Sequence, residues 1–362
     1  MTAQTLFQDI KAGSGKITHG LHTIWTDLKN EGGAHPSPAG SMIFGPVPSR
    51  RLGRSLGVNY IPSKTCSYDC VYCQAGRTTS CSVSREFFAN PYDVACLVQQ
   101  RLGSLKEQAI PIDYISLIPN GEPTLDCCIS KTIRLLRDSG CRIAVFTNAS
   151  LLWNDRVKED LMCAEYVSVK VDTVNEASWI KINRPHPRLQ FDAITEGLVD
   201  FSRAYNGILT TETMFVNAMN DTLEEVRALG TFLARVKRER SYFAIPLRPP
   251  AEGYAIAPPP ETLNFLSRSV TSTIAGSEML CCPEGNDFEG PDDAGEALLG
   301  ILAVHPMTTA AIESLLRKKE GTIARLQAMV EQHLLHPVEF RGTTFYVKTT
   351  STQQPVEAMH HA

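Results

Sequence analysis

Three cysteines in one short stretch are the residues of this sequence best suited to chemistry. Cys66, Cys70 and Cys73 stand in a Cys-x3-Cys-x2-Cys spacing, and Tyr72 directly precedes the last thiol. Thiolates are soft ligands that suit iron–sulfur clusters and zinc. Three closely spaced cysteines can hold three irons of a four-iron cluster and leave the fourth open, whereas a structural zinc ion takes four protein ligands. Taken alone, the spacing therefore allows a cluster, a zinc site or structural thiols.

Short apolar segments alternate with helical segments around and after these cysteines. Strands are predicted at 55–61, 114–118, 142–146, 166–171, 208–216 and 242–245, and helices at 91–107, 128–138, 154–162, 191–205, 223–236 and 261–271. Such an alternation favours right-handed parallel crossovers. Six strands are too few for a closed eight-stranded barrel. We therefore expect an α/β fold whose core is an open, partial (β/α)6 TIM-like barrel, with the cysteines following the first strand.

The chain divides into four predicted regions. Residues 1–40 form an N-terminal extension and linker, residues 41–275 form the barrel core, and residues 351–362 form a polar, disordered tail. Between core and tail, residues 276–350 contain predicted helices at 294–304, 308–318 and 322–332 and an alternating hairpin at 338–347. Thr308 or Thr309 is placed to cap the second of these helices. This order resembles a winged helix.

Polar residues concentrate where the predicted strands end. In parallel α/β folds ligands bind at the C-terminal ends of the strands. Alternation along the fourth strand puts three polar residues on one face, where burial without partners would be costly. The candidate site residues are Asn120, Gly121 and Glu122 after the second strand, Thr147 and Asn148 after the third, Ser168, Lys170 and Asp172 on the fourth, Glu212 on the fifth and Arg248 after the sixth.

Two further groups of residues allow more than one interpretation. Arg50, Arg51 and Arg54, before the cysteines, either bind phosphate or carboxylate groups, lie in a solvated turn, or support an acidic cluster loop. Asn183 and Arg184 either contact substrate or end a helix. The sequence does not decide between these interpretations for either group.

Two adjacent cysteine pairs lack the spacing of a second cluster. Cys127–Cys128 and Cys281–Cys282 are predicted to be buried small side chains. Because Cys281 and Cys282 lie at the predicted domain junction, the alternative hypothesis is a thiol that faces the cavity and donates hydrogen or binds substrate.

Composition narrows the class of protein. Of the 362 residues, 43% are hydrophobic and 20% charged, which is typical of a soluble globular protein. No apolar run approaches the roughly 20 residues that span a bilayer, and the polar first residues lack a signal-peptide core. The odd number of cysteines, 11, favours a reducing compartment over a disulfide framework. We therefore expect a cytoplasmic protein without a membrane partner. The net charge of −4 argues against broad nonspecific binding of nucleic acid.

Several motifs between about residues 43 and 350 together resemble the radical S-adenosylmethionine (radical SAM) superfamily. They are the cysteine motif, the preceding Gly-Pro-Val-Pro-Ser-Arg-Arg-Leu-Gly-Arg-Ser-Leu-Gly, the Asn-Gly-Glu-Pro-Thr after the second strand, and the Arg-Pro-Pro after the sixth. The chain is most similar to a branch that is grouped with wyosine-synthase-like Fe–S oxidoreductases. In the superfamily the core fold is a partial barrel, as predicted here.

The resemblance implies a cofactor arrangement. Cys66, Cys70 and Cys73 would hold a 4Fe-4S cluster whose open iron binds the amino and carboxylate groups of S-adenosylmethionine (SAM). Residues 120–122 stand where the superfamily has Gly-Gly-Glu, which binds the methionine amino group, although Asn120 replaces the first glycine. Lys170 would pair with the SAM carboxylate and Asp172 with the ribose hydroxyls.

The resemblance also implies the reaction. One-electron reduction of the cluster, by a reductant such as flavodoxin or ferredoxin, cleaves SAM to methionine and a 5′-deoxyadenosyl radical that takes hydrogen from substrate. We expect such an enzyme to act on an unidentified small molecule or peptide. One alternative is a tRNA-base-modifying enzyme of the wyosine type, with the C-terminal domain binding RNA. Another is a non-catalytic, cluster- or zinc-bearing regulator.

Overall fold

A computed structural model describes residues 42–282, 285–319 and 321–349. The predicted extension at 1–40 and tail at 351–362 lie outside these residues. The strands are β1 Ile43–Ser49, β2 Gly53–Val58, β3 Thr65–Cys66, β4 Ser80–Cys81, β5 Tyr114–Leu117, β6 Arg142–Thr147, β7 Tyr166–Lys170, β8 Ile208–Met214, β9 Arg240–Ala244, β10 Ser277–Leu280, β11 Met307–Thr308, β12 Leu335–Phe340 and β13 Thr343–Lys348. The helices are α1 Pro91–Glu107, α2 Ile129–Arg137, α3 Asp155–Leu161, α4 Glu176–Asn183, α5 Phe191–Ala204, α6 Leu223–Leu233, α7 Pro260–Thr273, α8 Ala294–Leu302, α9 Thr309–Lys318 and α10 Ile323–Glu331.

Eight strands form the central sheet, in the order β1-β2-β5-β6-β7-β8-β9-β10. Every neighbouring pair from β2 to β10 is parallel, while β1 runs antiparallel to β2. Six of the parallel strands are those expected from the sequence. A mixed α/β fold with a mainly parallel sheet is thus confirmed, whereas its curvature into a partial barrel stays a prediction.

Two strands of this sheet, β1 and β10, were not predicted from the sequence, and they lie at its edges. β1 carries Pro46 and Pro48, which remove ladder donors and are tolerated at an edge strand. β10 has four residues, and its first three are only partly buried. Because β10 begins at Ser277, the sheet extends beyond residue 275, where the predicted core ends.

The inner parallel strands are almost entirely buried. All four residues of β5 are buried, and four of the five in β7. Leu56, Ile115, Val145 and Val167, one from each of four neighbouring strands, join helix residues such as Leu198 in one apolar cluster. Continuous burial of this kind is typical of parallel strands whose two faces are both covered. The buried sheet provides a fixed base for the loops at its C-terminal edge.

Helix α4 places one of these loops, and the sequence did not predict it as a helix. The Asn175 side chain caps its start by accepting a hydrogen bond from Ala177 N at 2.9 Å. Its last residue is Asn183, and the following Arg184 has a left-handed backbone with φ 44°. This conformation ends helices commonly, so the helix-ending interpretation of Asn183 and Arg184 is confirmed.

The C-terminal part consists of α8, α9, α10 and a three-stranded antiparallel sheet in the order β11-β13-β12. Its three helices and hairpin are those expected, and Thr308 caps α9 by accepting from Ala311 N at 3.2 Å. Phe44 of β1 packs with Leu298 and Ile301 of α8 in one buried cluster. The C-terminal part therefore packs directly on the edge of the central sheet, and its assignment as a winged helix remains a prediction. Within the described ranges, none of the helices has both the length and the apolarity to cross a membrane.

Candidate metal and cofactor site

The three cysteines lie on the loop that leaves the C-terminal end of β2, here called the cysteine loop (residues 59–76). Its Val71 is fully buried and donates from its backbone N to Ile182 O of α4 at 2.9 Å. On the other side, Lys64 N donates to Asn120 O at 3.0 Å. The loop is thus fixed both to α4 and to the segment after β5.

Each of the three thiol sulfurs receives a hydrogen bond from a nitrogen of another side chain. The bonds run from Lys64 Nζ to Cys73 Sγ at 3.2 Å, from Asn183 Nδ2 to Cys70 Sγ at 3.4 Å, and from Asn148 Nδ2 to Cys66 Sγ at 3.5 Å. Donors at a sulfur favour its negatively charged form. The loop is therefore prepared for thiolates.

Burial opposes ionisation of the same thiols when no metal is bound. It raises the pKa of Cys70 to about 12, with the charge of Asp172 adding to the rise. Burial also raises the pKa of Cys66, and the nearby charge of Glu122 adds to that rise. As free thiols both keep their protons at neutral pH, whereas a thiol that coordinates a metal is deprotonated. Metal binding would release these protons.

The segment after β5 lies against the cysteine loop because residue 121 is glycine. A Cβ at Gly121 would overlap the carbonyl oxygen of Thr65, so a larger residue would push the two segments apart. Asn120 donates from Nδ2 to Ser63 Oγ at 3.0 Å and to Ala303 O at 3.2 Å. Its Oδ1 is buried and accepts no hydrogen bond from the part of the chain that the structure describes. The residue that departs from the superfamily motif thus presents an acceptor in need of a donor.

Glu122 is 1% exposed, and the protein itself binds its carboxylate. Oε1 accepts from the hydroxyls of Thr124 and Thr147, each at 2.6 Å, and Oε2 accepts from Asn148 N at 2.7 Å. Three of the predicted residues, Glu122, Thr147 and Asn148, are thereby brought together. The carboxylate links the segment after β5 to the end of β6.

Lys170, Asp172 and Glu212 also come together, in a row of alternating charges completed by Arg51 and called here the charge array. Lys170 on β7 stands in register with Glu212 on β8. Its Nζ lies 3.1 Å from Glu212 Oε1 and 3.5 Å from Asp172 Oδ1, and Arg51 pairs with Glu212 Oε2. The ammonium that was expected to hold the SAM carboxylate is thus paired within the protein.

The array sets the ionisation of Glu212. Burial alone would raise the pKa of this carboxyl, but Arg51 and Lys170 outweigh burial and lower the pKa to about 2. Burial would likewise lower the pKa of Lys170, and the two carboxylates beside it raise that pKa instead. Glu212 and Lys170 are therefore both charged at neutral pH.

Asp172 has donors around its whole carboxylate. Oδ2 accepts from the Tyr72 hydroxyl and from Asn183 Nδ2 at 2.7 Å, while Oδ1 accepts from Met214 N at 2.8 Å and pairs with Lys170. A carboxylate offers about four acceptor positions, so the structure gives Asp172 the task of holding neighbouring groups. The expected contact of Asp172 with the ribose hydroxyls stays a prediction.

Ser168 and Arg248 lie apart from this centre. Ser168 is 2% exposed and lies within β7, opposite Thr210 of β8 and below the strand end that carries Lys170. Arg248, after β9, donates to Gln74 Oε1 at 3.3 Å at the end of the cysteine loop. Gln74 in turn donates to Val304 O at 3.1 Å. Gln74 therefore joins the cysteine loop to the C-terminal part, and Arg248 donates to Gln74 from the segment after β9.

A cleft of about 400 Å³, counting its part open to solvent, lies beside these groups. Its polar wall includes Asn148, Lys170, Asp172 and Asn183, and its apolar wall includes Trp179 and Phe191. Three of the predicted residues, Asn148, Lys170 and Asp172, thus meet at one cavity next to the cysteine loop.

Comparison with known proteins gives the family. No protein-family model matches the sequence. A UPF0026 protein of Methanocaldococcus jannaschii, however, is 39% identical over 315 residues, which cover 86% of this chain and 98% of that protein. The chain belongs to the UPF0026 family. The UPF0026 chain is also 34% identical over 202 residues to a Brachyspira hyodysenteriae protein named GTPase Obg, but the match covers 29% of that protein. The name of that larger protein is therefore not transferred.

A solved structure shares the fold of the UPF0026 chain. The crystal structure of a radical SAM methyltransferase from Sphaerobacter thermophilus superposes with a TM-score of 0.51 and 16% identity, over 63% of this chain and 66% of that one. An identity of 16% shows similarity of fold alone. The resemblance to radical SAM proteins predicted from the sequence is therefore confirmed for the fold.

The cysteine pairs of the UPF0026 chain correct one prediction. Cys127 and Cys282 are exposed and Cys128 and Cys281 half-buried, so their interpretation as buried small side chains is wrong. The physical reason is their position at element ends, since Cys128 precedes α2 and Cys281 follows β10. Whether Cys281 or Cys282 donates hydrogen stays a prediction.

Several site residues of the UPF0026 chain were missed by sequence reasoning or left undecided. Lys64 was not singled out, although a lysine two positions before Cys66 was a usable signal. Glu252 was also missed; its carboxylate accepts from Arg184 at 2.6 Å, and its backbone N donates to Val71 O at 3.0 Å. No local pattern marks Glu252, because its partners are distant in sequence.

Proposed function

We propose that this chain is a radical SAM enzyme that binds a 4Fe-4S cluster through Cys66, Cys70 and Cys73. The observation that carries the proposal is the cysteine loop, in which three neighbouring thiols each have a nitrogen donor at the sulfur. The loop leaves the end of a parallel strand, where ligands of such folds bind. Structural thiols would not need a polar donor each.

The spacing of the thiols favours a cluster over zinc. Thiolates on one tetrahedral zinc ion lie about 3.8 Å apart, since the Zn–S bond is about 2.3 Å. In the described ranges, one set of three possible ligand atoms lies mutually within 4.8 Å, that of Asp126, Cys127 and Cys128. The cysteine-loop thiols do not form such a set, as fits ligands that bind different irons. In the set of Asp126, Cys127 and Cys128, the Asp126 carboxylate already accepts a hydrogen bond from the Tyr60 hydroxyl at 2.8 Å.

SAM would bind between the cysteine loop and the segment after β5. With the cluster and SAM bound, the site would supply reductive cleavage of the SAM sulfonium bond, which starts radical chemistry. The buried Asn120 Oδ1 is an acceptor suited to the ammonium of the methionine part. Gly121 permits the close approach of this segment, and Glu122 holds it to Asn148.

The charge array and the cleft would bind the substrate. Arg51, Lys170 and Glu212 line up paired charges, a surface that suits a polar or zwitterionic group better than a hydrocarbon. Trp179 and Phe191 provide an apolar wall beside them. We therefore propose a small molecule or peptide as substrate, and the net charge of −4 gives no support to the tRNA alternative. The C-terminal part, which contacts Gln74 and Asn120, would cover the site.

The test is anaerobic reconstitution with iron and sulfide. The wild type should bind about four irons per chain and, with dithionite and SAM, should form 5′-deoxyadenosine that chromatography detects. The triple variant Cys66→Ala, Cys70→Ala, Cys73→Ala should do neither. A matched control triple, Cys96→Ala, Cys127→Ala, Cys141→Ala, should behave as the wild type, because none of these thiols belongs to the proposed ligands.

Two results would overturn the proposal. One is a wild-type chain that holds a single zinc and no iron, and the other is a cluster that never yields 5′-deoxyadenosine. A salt series of tRNA binding tests the alternative, since an RNA substrate predicts affinity that falls steeply with salt.

A further inference from the structure

The three nitrogen donors at the cysteine loop come from three different parts of the chain. Lys64 belongs to the loop itself, Asn148 follows β6, and Asn183 ends α4. Lys64 is 5% exposed and Asn183 is 3% exposed. Burial makes the bonds from Lys64 and Asn183 stronger than they would be in water, because the local dielectric is low; Asn148 is half-buried.

Both amide groups have their orientation fixed by a second partner. Asn183 Nδ2 donates to Asp172 Oδ2 at 2.7 Å as well as to Cys70, and a carboxylate can accept only from the NH2 side. Asn148 Oδ1 accepts from Ser150 N at 2.9 Å, so its NH2 group faces the cysteine loop, where it donates to Cys66 Sγ and to Ser67 Oγ at 2.9 Å. Neither amide can rotate to face its sulfur with oxygen.

Lys64 contributes a charge as well as a donor. A buried ammonium needs an opposite charge nearby, and its side-chain hydrogen bond runs to Cys73 Sγ at 3.2 Å. A thiolate on a metal supplies that charge. Lys64 should therefore have a larger effect on a bound cluster than either asparagine.

We propose that Lys64, Asn148 and Asn183 are positioning residues that set the reduction potential of the cluster; this rests on the proposed function. Hydrogen bonds to cluster sulfurs are one of the determinants of that potential. The redox step adds one electron from a low-potential one-electron donor and breaks no bond. The donors then face one more negative charge, so they stabilise the reduced form more than the oxidised form.

The experiment is a redox titration of reconstituted protein, followed by the electron paramagnetic resonance signal of the reduced cluster. Asn148→Leu and Asn183→Leu each remove a donor at similar volume, and each should make reduction about tenfold less favourable. For one electron a tenfold change corresponds to a potential about 59 mV more negative. Lys64→Met should shift the potential further in the same direction, since it also removes a charge.

Conservative variants keep the test decisive if a leucine or methionine variant fails to hold the cluster. Lys64→Arg keeps donor and charge and should titrate like the wild type, whereas Lys64→Gln keeps a donor alone and should fall between wild type and Lys64→Met. Asn206→Leu, on the exposed turn after α5, is the matched control and should leave the potential unchanged. Iron content and thermal unfolding are measured for every variant.

The outcomes separate this inference from the proposed function. A wild type that assembles the cluster, with all variants at the wild-type potential, would overturn the inference and leave the proposed function standing. A shift to more positive potential would also overturn it. A wild type that assembles no cluster would overturn both.

Discussion

Glu212 is the centre of the charge array, and its removal should destabilise the folded chain strongly. Its carboxylate pairs with Arg51 and with Lys170, and the side-chain exposures are 15% for Glu212, 15% for Arg51 and 21% for Lys170. Glu212→Gln keeps the shape and removes the charge, so that the two cations lose their common partner. Breaking a buried ion pair from one side leaves an uncompensated charge, which is the costly case.

The magnitude follows from the pKa of the same carboxyl. The difference between its ordinary pKa of 4.5 and the lowered pKa of about 2 corresponds to about 3 kcal/mol, at ~1.4 kcal/mol for each tenfold change in acid strength. Because the pKa in the folded state lies below that in the unfolded state, this stabilisation is fully present above about pH 4.5. It is lost as the pH falls from there towards 2.

The assay is urea unfolding of wild type and Glu212→Gln, followed by circular dichroism from pH 7 downwards. At pH 7 the variant should unfold with a free energy lower by about 3 kcal/mol. The difference in the free energy of unfolding should narrow below pH 4.5. There the wild-type carboxylate takes up a proton and loses the stabilisation that the variant lacks at every pH. The matched control is Glu278→Gln, whose carboxylate pairs with Arg240 at 2.9 Å on the surface and should cost less than about 1 kcal/mol.

The reasoning on Glu212 fails in two cases. The first is a loss of unfolding free energy in Glu212→Gln that is no larger than the loss in Glu278→Gln. The second is a large loss of unfolding free energy that stays constant from pH 6 down to the lowest pH at which the chain is folded, which would indicate packing rather than charge.

Two further predictions concern the loops around the cysteines. Gly121→Ala should lower the iron content after reconstitution and the unfolding temperature, because its Cβ would overlap Thr65 O; Gly103→Ala, with open space around it in an exposed helix position, should instead stabilise by up to about 1 kcal/mol. Equal behaviour of the two alanine variants would refute the close approach. Gln74→Leu should remove the bond to Val304 O and speed hydrogen exchange and proteolysis in the segment after α8, whereas unchanged exchange there would show that this contact does not hold the C-terminal part.

Much of the central sheet could be predicted from the sequence, because its signal is local. Short apolar runs between helices identify six parallel strands, and these runs are buried on both sides in the structure. β1 lacked that signal, since Gly45, Pro46 and Pro48 interrupt it and an edge position makes them acceptable. β10 is too short to show a pattern and is recognised by its pairing with β9.

The sequence named several residues that lie together in the structure, but it did not predict which partners they contact. Alternation along β7 correctly put Lys170 and Asp172 on one face, but their partners depend on the register of β7 with β8, which brings Glu212 opposite Lys170. Register is set by burial and turn geometry along whole strands rather than by any one residue. For this reason the sequence could not show that Lys170 pairs with Asp172 and Glu212, and the expected contacts of Lys170 and Asp172 with SAM stay predictions.

The sequence by itself determined the three thiols, since their spacing along one loop is a local property and their softness is a property of cysteine. Tertiary structure decided which groups face each sulfur. Lys64 stands close to the thiols in sequence, but Asn148 and Asn183 reach them from 82 and 113 residues away. Contacts across such distances depend on strand order and helix ends, so they exist only once the sheet has brought those ends together.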